Sequence, residues 1–513
     1  MFKSLFIALI VAQAAFSQDP KLTALGTYRT GQYNLAAAEI VAHDPATQRL
    51  FVVNGADRTV DILDMSAPAN LRRISQIAMP AEHGRAANSV AVRNGVVAVA
   101  VEADPKTAPG SCVFFDTSGR FLNAVRVGAL PDMLTFTPDG RKVLVANEGE
   151  PSDDYLVDPE GSVTIIDISG GIAGLTQANV RTAGFSTFMR ASLEGGVRVF
   201  GPRASVAQDL EPEYIAVSPD SRTAYVTLQE ANAIATVDIE SARVTRIAAL
   251  GLKEHWRLGN ELDASDRDGV RFRTQTVWGM FMPDAIATFT GPDNKLYLIT
   301  ANEGDSRDYP GYSEVARVST LRLDPVAYPN AAEIQQLTDL GRLNVTSATG
   351  DIDGDGDFDA LHVFGGRSIT VWNANDITQT WDSHNQLEVL SYLNRPEAFN
   401  VSNTDNTLDS RSDDKGPEPE AVTVGTVRGV QYAFVGNERT GNIFIYDVTD
   451  PNAPRYVSQA WNRRVDVATN TPEAGDLGPE GVTFIREQDS PTGKPLLVVA
   501  NEISGTTTVW QID

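Results

Sequence analysis

The chain has 513 residues, 42% hydrophobic and 21% charged, the balance of an ordinary globular protein rather than of a disordered or fibrous one. Its formal charge of -25 excludes nucleic acid as a partner, because holding a polyanion needs a basic face. An acidic surplus suits divalent cations or a mineral surface, or else it is a solvated surface that only aids solubility.

The chain opens with Lys3, an apolar run from Leu5 to Phe16 and a small-residue site, Ala15-Phe16-Ser17, before Gln18. This is the pattern of a secretory signal peptide, so residues 1–17 are expected to be removed and 18–513 to form the mature domain, in the periplasm or secreted. A membrane anchor would need a longer run, and Asp19-Pro20 follow at once. No later stretch is long enough to span a bilayer, so no transmembrane anchor is expected. The single Cys112 cannot form an internal disulfide and is expected to pack as a small apolar residue beside Val113-Phe114-Phe115.

Leu22 to Tyr28 has strand character but belongs to no full unit. From there a short hydrophobic strand opens eight times: at Ala38-Glu39-Ile40, Asn88-Ser89-Val90, Pro131-Asp132-Met133, Pro212-Glu213-Tyr214, Pro283-Asp284-Ala285, Phe358-Asp359-Ala360, Pro419-Glu420-Ala421 and Pro479-Glu480-Gly481. All but the Asn88 opening carry an acid. A second strand then ends in Val101-Glu102, Asn147-Glu148, Gln229-Glu230, Asn302-Glu303, Asn437-Glu438 or Asn501-Glu502, while Asn54-Gly55 and Gly365-Gly366 hold the same place without the acid. A third strand usually closes on Asp, as at Asp64 and Asp447. Turns such as Pro138-Asp139-Gly140 separate them, and long connections run at 149–161, 173–210, 252–282, 304–315 and 381–416.

Repeated all-strand units of this size are the signature of propeller blades. The expected fold is all-β: a single β-propeller of about eight blades, or seven if the Asp359 unit is an insertion. Pairing of Leu22 to Tyr28 with the last unit would close the ring and leave no exposed edge. In a blade, the start of the first strand and the end of the second lie at one rim. Glu39, Asp132, Glu213, Asp284, Glu420 and Glu480 are therefore expected at one channel mouth, with Glu148, Glu303, Glu438 and Glu502 beside them. Like charges so crowded cannot all stay ionised without cations, and these acids are the candidate ligands of calcium or another divalent ion.

Three further groups carry chemistry. Asp351, Asp353, Asp355 and Asp357 alternate along Asp351 to Asp359 with Gly356 at the sixth position, as a calcium loop requires, but His362 stands where a closing Glu belongs. The alternative is an Asp/Gly turn leading into a strand. The segment Asp409 to Glu420 interleaves Arg411 and Lys415 with acids, among them Glu418, either to hold metal beside an anion such as a phosphoryl group or as a solvated charged loop. Arg307, Arg367 and Arg439 recur near the rim motifs, for anion capture or for salt bridges to the same acids. No Gly-x-Ser-x-Gly elbow, phosphate-cradling Gly-Lys-Ser/Thr loop or His-Glu-x-x-His is present, and the five His show no metal spacing.

At Ala146 to Tyr155, at Gly350 to Asp357 with Gly365-Gly366-Arg367-Ser368, and at Asp409 to Glu420, the chain resembles the choice-of-anchor I proteins, relatives of the mesenchyme-specific cell surface glycoproteins of biomineralising animals. The resemblance runs from about Leu22 to Asp513 and implies an extracytoplasmic β-propeller. It is expected to act as a binding or structural module whose partners are divalent cations and a mineral or envelope polymer. Some bacterial relatives are described as alkaline phosphatases, which implies the alternative of a calcium-dependent phosphoesterase, alkaline phosphatase-like or phytase-like. In that alternative a metal-bound water attacks a phosphate ester held by Arg411, Lys415 or Arg439. The resemblance carries over no catalytic residue.

Overall fold

The computed structural model describes residues 19–513, so the expected signal peptide lies outside the described residues. Among the described residues, seven four-stranded antiparallel sheets follow one another. They are named here by their first and second strands: sheet I (Val41–Asp44, Arg49–Asn54), sheet II (Ala86–Arg93, Val96–Glu102), sheet III (Pro131–Phe136, Lys142–Asn147) and sheet IV (Pro212–Val217, Thr223–Leu228). Sheet V (Ile286–Thr290, Leu296–Ala301), sheet VI (Pro419–Val427, Val430–Asn437) and sheet VII (Pro479–Ile485, Leu496–Asn501) complete the set. Each first strand touches the first strand of the next sheet, and that of sheet VII touches that of sheet I.

The second strands carry largely apolar middles because both faces of each sheet are covered by neighbours. In sheet III, Val143 and Val145 pack toward Ala98, Ala100 and Phe114 of sheet II, while Leu144 and Ala146 pack toward Ala224, Val226 and Leu228 of sheet IV. Alternate side chains of a strand point to opposite faces, so two buried faces demand a continuous apolar run. Full burial of one such Val or Leu is worth about 1.5–3 kcal/mol, which is why a polar residue in these runs needs a specific partner. Cys112 lies in the same packing, fully buried.

Sheet VII takes its fourth strand from the start of the chain. Leu22–Arg29 pairs antiparallel along Thr506–Ile512, with Leu22 opposite Ile512 and Arg29 opposite Thr506.

The Phe358-Asp359-Ala360 opening, expected to begin an eighth unit, does not start one of these sheets. It lies within a long insertion between the second strand of sheet V and its third, Ile369–Asn373. One residue further on, His362–Val363 form a short strand parallel to Trp278–Met280, outside the seven sheets. The two ends of the insertion are clasped at Gly304 and Gly365, which have φ of +96° and +75°; a Cβ on Gly304 would lie 2.2 Å from the Gly365 nitrogen. That is why Gly365-Gly366 sits at the rim without an acid: it hands the chain back to sheet V.

Candidate cation site at the rim of the sheets

Backbone pairing places the acids. In sheets III, IV, VI and VII a proline opens the first strand and pairs with the last residue of the second: Pro131 with Asn147, Pro212 with Leu228, Pro419 with Asn437 and Pro479 with Asn501. Proline lacks an N–H and suits the first position of a strand. Immediately after it the register is interrupted in all four sheets. Such an irregularity re-aims the next side chain, and that residue is Asp132, Glu213, Glu420 or Glu480. Glu148, Glu438 and Glu502 follow directly on the asparagine that pairs with the proline. In sheet V the N–H of Asp284 donates to the carbonyl of Ala301 at 3.1 Å, two residues before Glu303. Glu39 stands just before sheet I, its N–H on the carbonyl of Val53.

The Asn-Glu pair divides its labour. The amide of Asn147 donates to Ser162 Oγ at 3.2 Å and Thr164 Oγ1 at 2.9 Å, that of Asn302 to Thr370 Oγ1 at 2.8 Å, and that of Asn501 to Thr506 Oγ1 at 3.2 Å. These buried amides tie the second strand to the third. The glutamate that follows is left for the rim.

There the acids act on one another. Burial raises Glu39 to about 8, with Glu502, Asp132 and Glu102 adding repulsion. Burial and then Glu150 raise Asp132 to about 7. Burial followed by neighbouring acids holds Glu148, Glu213, Asp284, Glu420 and Glu480 well above the ordinary carboxylate range. Glu438 is also raised, by burial first, although Arg439 beside it acts the other way. A cavity of about 140 Å³ opens between Glu39, Asn88, Asp132, Tyr214, Asp284 and Glu480, and none of its lining residues is basic. One carboxylate oxygen of Glu420 and one of Glu230 are buried without a hydrogen-bond partner.

The acids that end third strands behave in the opposite way. Asp64, Asp116 and Asp167 accept the N–H of the serine two residues on, and the hydroxyl of that serine donates as well. Hydrogen bonds led by Ser118 lower Asp116 to about 2. Repeated carboxylates thus fall into two populations, turn caps that want their charge and rim acids that do not.

Next to the rim, the segment Asp409 to Glu420 folds its charges inward. Glu418, fully buried, takes Arg411 at 2.6 Å, Arg439 at 2.9 Å and Lys415 at 3.1 Å. Lys415 also meets Glu303 at 2.7 Å and Asp305 at 3.1 Å, and Arg439 meets Glu438 at 3.0 Å. Among the expected metal ligands, Glu303, Glu418 and Glu438 each bring one oxygen within 4.8 Å of the others. Arg307 is 1% exposed, paired with Asp209 and, at 3.0 Å, with Glu211. Arg367, 2% exposed, holds Glu388 at 3.0 Å and the carbonyls of Asp263, Ser412 and Asp414. Of the two readings of these arginines, the structure displays salt bridges, and Arg307 and Arg367 present no surface to a solute.

Asp351 to Asp359 forms an exposed turn in which Asp351 accepts the N–H groups of Gly354 and Gly356, and Asp359 that of Ile352. One oxygen from each of Asp351, Asp353 and Asp359 lies within 4.8 Å of the others. Asp355 accepts the N–H of Asp357, and Asp357 pairs with Arg322 at 3.1 Å. His362 is turned to Thr349, 2.8 Å away.

Acids outside the expected ligand set also join the rim. Glu102, Glu150, Glu211 and Glu230 contribute to the charge felt by Glu39, Glu148 and Glu213. Glu211 directly precedes the Pro212 opening, a signal hidden by the expectation of one acid per unit.

Gigasin-3a of Magallana gigas is 32% identical over 189 residues, which is 34% of this chain and 64% of that protein. The mesenchyme-specific cell surface glycoprotein of Strongylocentrotus purpuratus is 31% identical over 305 residues, 53% of this chain and 39% of that protein. The chain therefore spans less than two thirds of the length of either relative. Among solved structures, Kuenenia stuttgartiensis hydrazine synthase superposes with a TM-score of 0.46 at 13% identity over 94% of this chain and 99% of that one. The model of the choice-of-anchor I domain matches residues 39–451, and with that match over most of its length the chain belongs to the choice-of-anchor I family.

Proposed function

We propose that this protein is an exported calcium-binding β-propeller of seven blades, closed by its N-terminal strand, acting as a binding or structural module at the cell envelope or outside the cell. The cyclic contacts of the seven first strands support the closed ring. The name of the Strongylocentrotus purpuratus relative supports a place at the cell surface. The observation that carries calcium binding is the cavity walled by Glu39, Asp132, Asp284 and Glu480 with no basic residue in its lining. A hard divalent cation takes 6–8 oxygens, carboxylates and waters together, and relieves the repulsion that otherwise forces protons onto these acids. The phosphoesterase alternative has no observation in its favour.

The test is a calorimetric titration of chelator-treated, dialysed protein with calcium at pH 7.5 and pH 5.5. Saturable binding that weakens at the lower pH is expected, because protons compete for the same oxygens. Failure to bind calcium at pH 7.5 overturns the proposal.

A further inference from the structure

Around Glu303, Glu418 and Glu438 the rim is built differently from the rest. Here three buried glutamates, 7%, 0% and 5% exposed, approach closely enough to share one ion, yet the place is filled by the chain itself. The ammonium of Lys415, a side chain 8% exposed, stands 2.7 Å from Glu303, 3.1 Å from Glu418 and 3.1 Å from Asp305. No basic side chain lines the cavity at Glu39, Asp132, Asp284 and Glu480.

Resting on the reading that the rim takes cations, we propose that Lys415 is a tethered cation holding two of the three ligands, Glu303 and Glu418, of a latent divalent metal site at Glu303, Glu418 and Glu438, and that it keeps soluble metal out of this part of the rim. The geometry is that of ion coordination. Two carboxylates of the trio, Glu303 and Glu418, together with the more exposed Asp305, converge on one charged nitrogen at 2.7–3.1 Å. Calcium sits at about 2.3–2.6 Å from its oxygens, so a few tenths of an ångström of contraction would convert the nest to a metal site. Glu303, whose cationic partner is Lys415, must take another cation or protons when that partner is lost. The neighbouring arginines cannot substitute. Arg411 is committed to Glu418 and to Asp414 at 2.7 Å, and Arg439 to Glu418 and Glu438, leaving Glu303 with the amide of Gln229 at 2.7 Å. An ammonium carries one charge where calcium carries two, which fits a nest in which arginines already answer part of the negative charge.

The experiment compares metal-free wild-type protein, Lys415→Met and Lys415→Arg by equilibrium dialysis against calcium, with bound metal counted by mass spectrometry. Lys415→Met is expected to hold one more calcium ion per chain than wild type, and Lys415→Arg the same number as wild type. The double variant Lys415→Met with Glu438→Gln is expected to lose the extra ion. A folded Lys415→Met protein with the wild-type ion count overturns the proposal, and so does one that stays unfolded at every calcium concentration. A variant that folds only when calcium is supplied supports it. The difference between variants is read separately from the wild-type count. A wild type that holds no calcium would sink the proposed function while leaving the gained ion of Lys415→Met as a distinct result.

Discussion

Asp132 stands beside Glu148 because Pro131 pairs with Asn147: one backbone register seats the second residue of one strand against the residue that follows the next. Asp132 in turn helps to hold Glu148 well above its ordinary value, after burial and Glu150. The same arrangement recurs at Glu420 with Glu438 and at Glu480 with Glu502, so repulsion at the rim follows from the repeat itself.

Calcium should therefore stabilise the fold. An ion that binds only the folded state contributes about 2.7 kcal/mol when free at a hundredfold its dissociation constant. A chelator is expected to lower Tm at pH 7.5, measured by scanning calorimetry on protein first shown to be metal-free and then reloaded. Superimposable curves with and without calcium would refute this.

The metal-free protein should have an inverted pH profile at the rim. Glu39 moves from 4.5 to about 8 and Asp132 from 3.8 to about 7 on folding, so the protonated forms are favoured in the native state. The stability this contributes is complete below the unfolded values and is lost as pH rises through the folded ones. Asp116 has the opposite sign, lowered from 3.8 to about 2, and its contribution disappears only as pH falls toward 2. Urea denaturation without metal is expected to give higher stability near pH 5 than near pH 8, and calcium should flatten that difference. A metal-free midpoint that rises between pH 5 and pH 8 would contradict the assignment.

Glu420→Gln combined with Glu480→Gln removes two charges from the rim and two oxygen ligands of full charge. The expected outcome is a smaller calcium-dependent shift in Tm together with a metal-free Tm above that of metal-free wild type. A double variant that loses stability without metal would mean that these acids are ionised and partnered.

Arg307→Met should separate structural arginines from binding ones. It strands the buried carboxylates of Asp209 and Glu211, a loss of about 3–5 kcal/mol on the scale of broken buried ion pairs. Guanidinium denaturation measures it. A change under about 1 kcal/mol would show that those acids find other partners.

Asp353→Ala touches only the exposed turn at Asp351 to Asp359. Loss of one calcium ion per chain with a Tm change under about 1 °C is expected if that turn binds an ion without bracing the sheets. An unchanged ion count would assign the turn to its internal hydrogen bonds alone.

The strand openings were legible because the acid, the apolar run and the turn recur together, and the pairing of Leu22–Arg29 with the last sheet follows from a strand that had no unit of its own. The Asp359 opening misled because Phe358-Asp359-Ala360 copies the local pattern, whereas a sheet also needs a second strand in register, and between that opening and the third strand of sheet V the chain forms only the two-residue strand His362–Val363. Charge alone likewise could not say where Arg411, Lys415 and Arg439 point. Whether a basic side chain meets a solute or Glu418 depends on how the 409–420 segment turns back on itself, which no spacing encodes. Glu150 and Glu211 were missed for a related reason: they join the rim from loops outside the repeat.

The clasp of Leu22–Arg29 on Thr506–Ile512 sets an order of assembly. The backbones of Lys21 and Asp513 exchange hydrogen bonds at 3.4 and 3.0 Å, across almost the whole described chain. Contacts between residues so distant along a polymer are slow to form, because the intervening chain must give up its freedom first. During synthesis, the first strand waits with an unpaired edge until the last strand arrives. Interior sheets can form from neighbouring segments, but the final one needs both ends at once, so a truncation of either end should leave the same open edge.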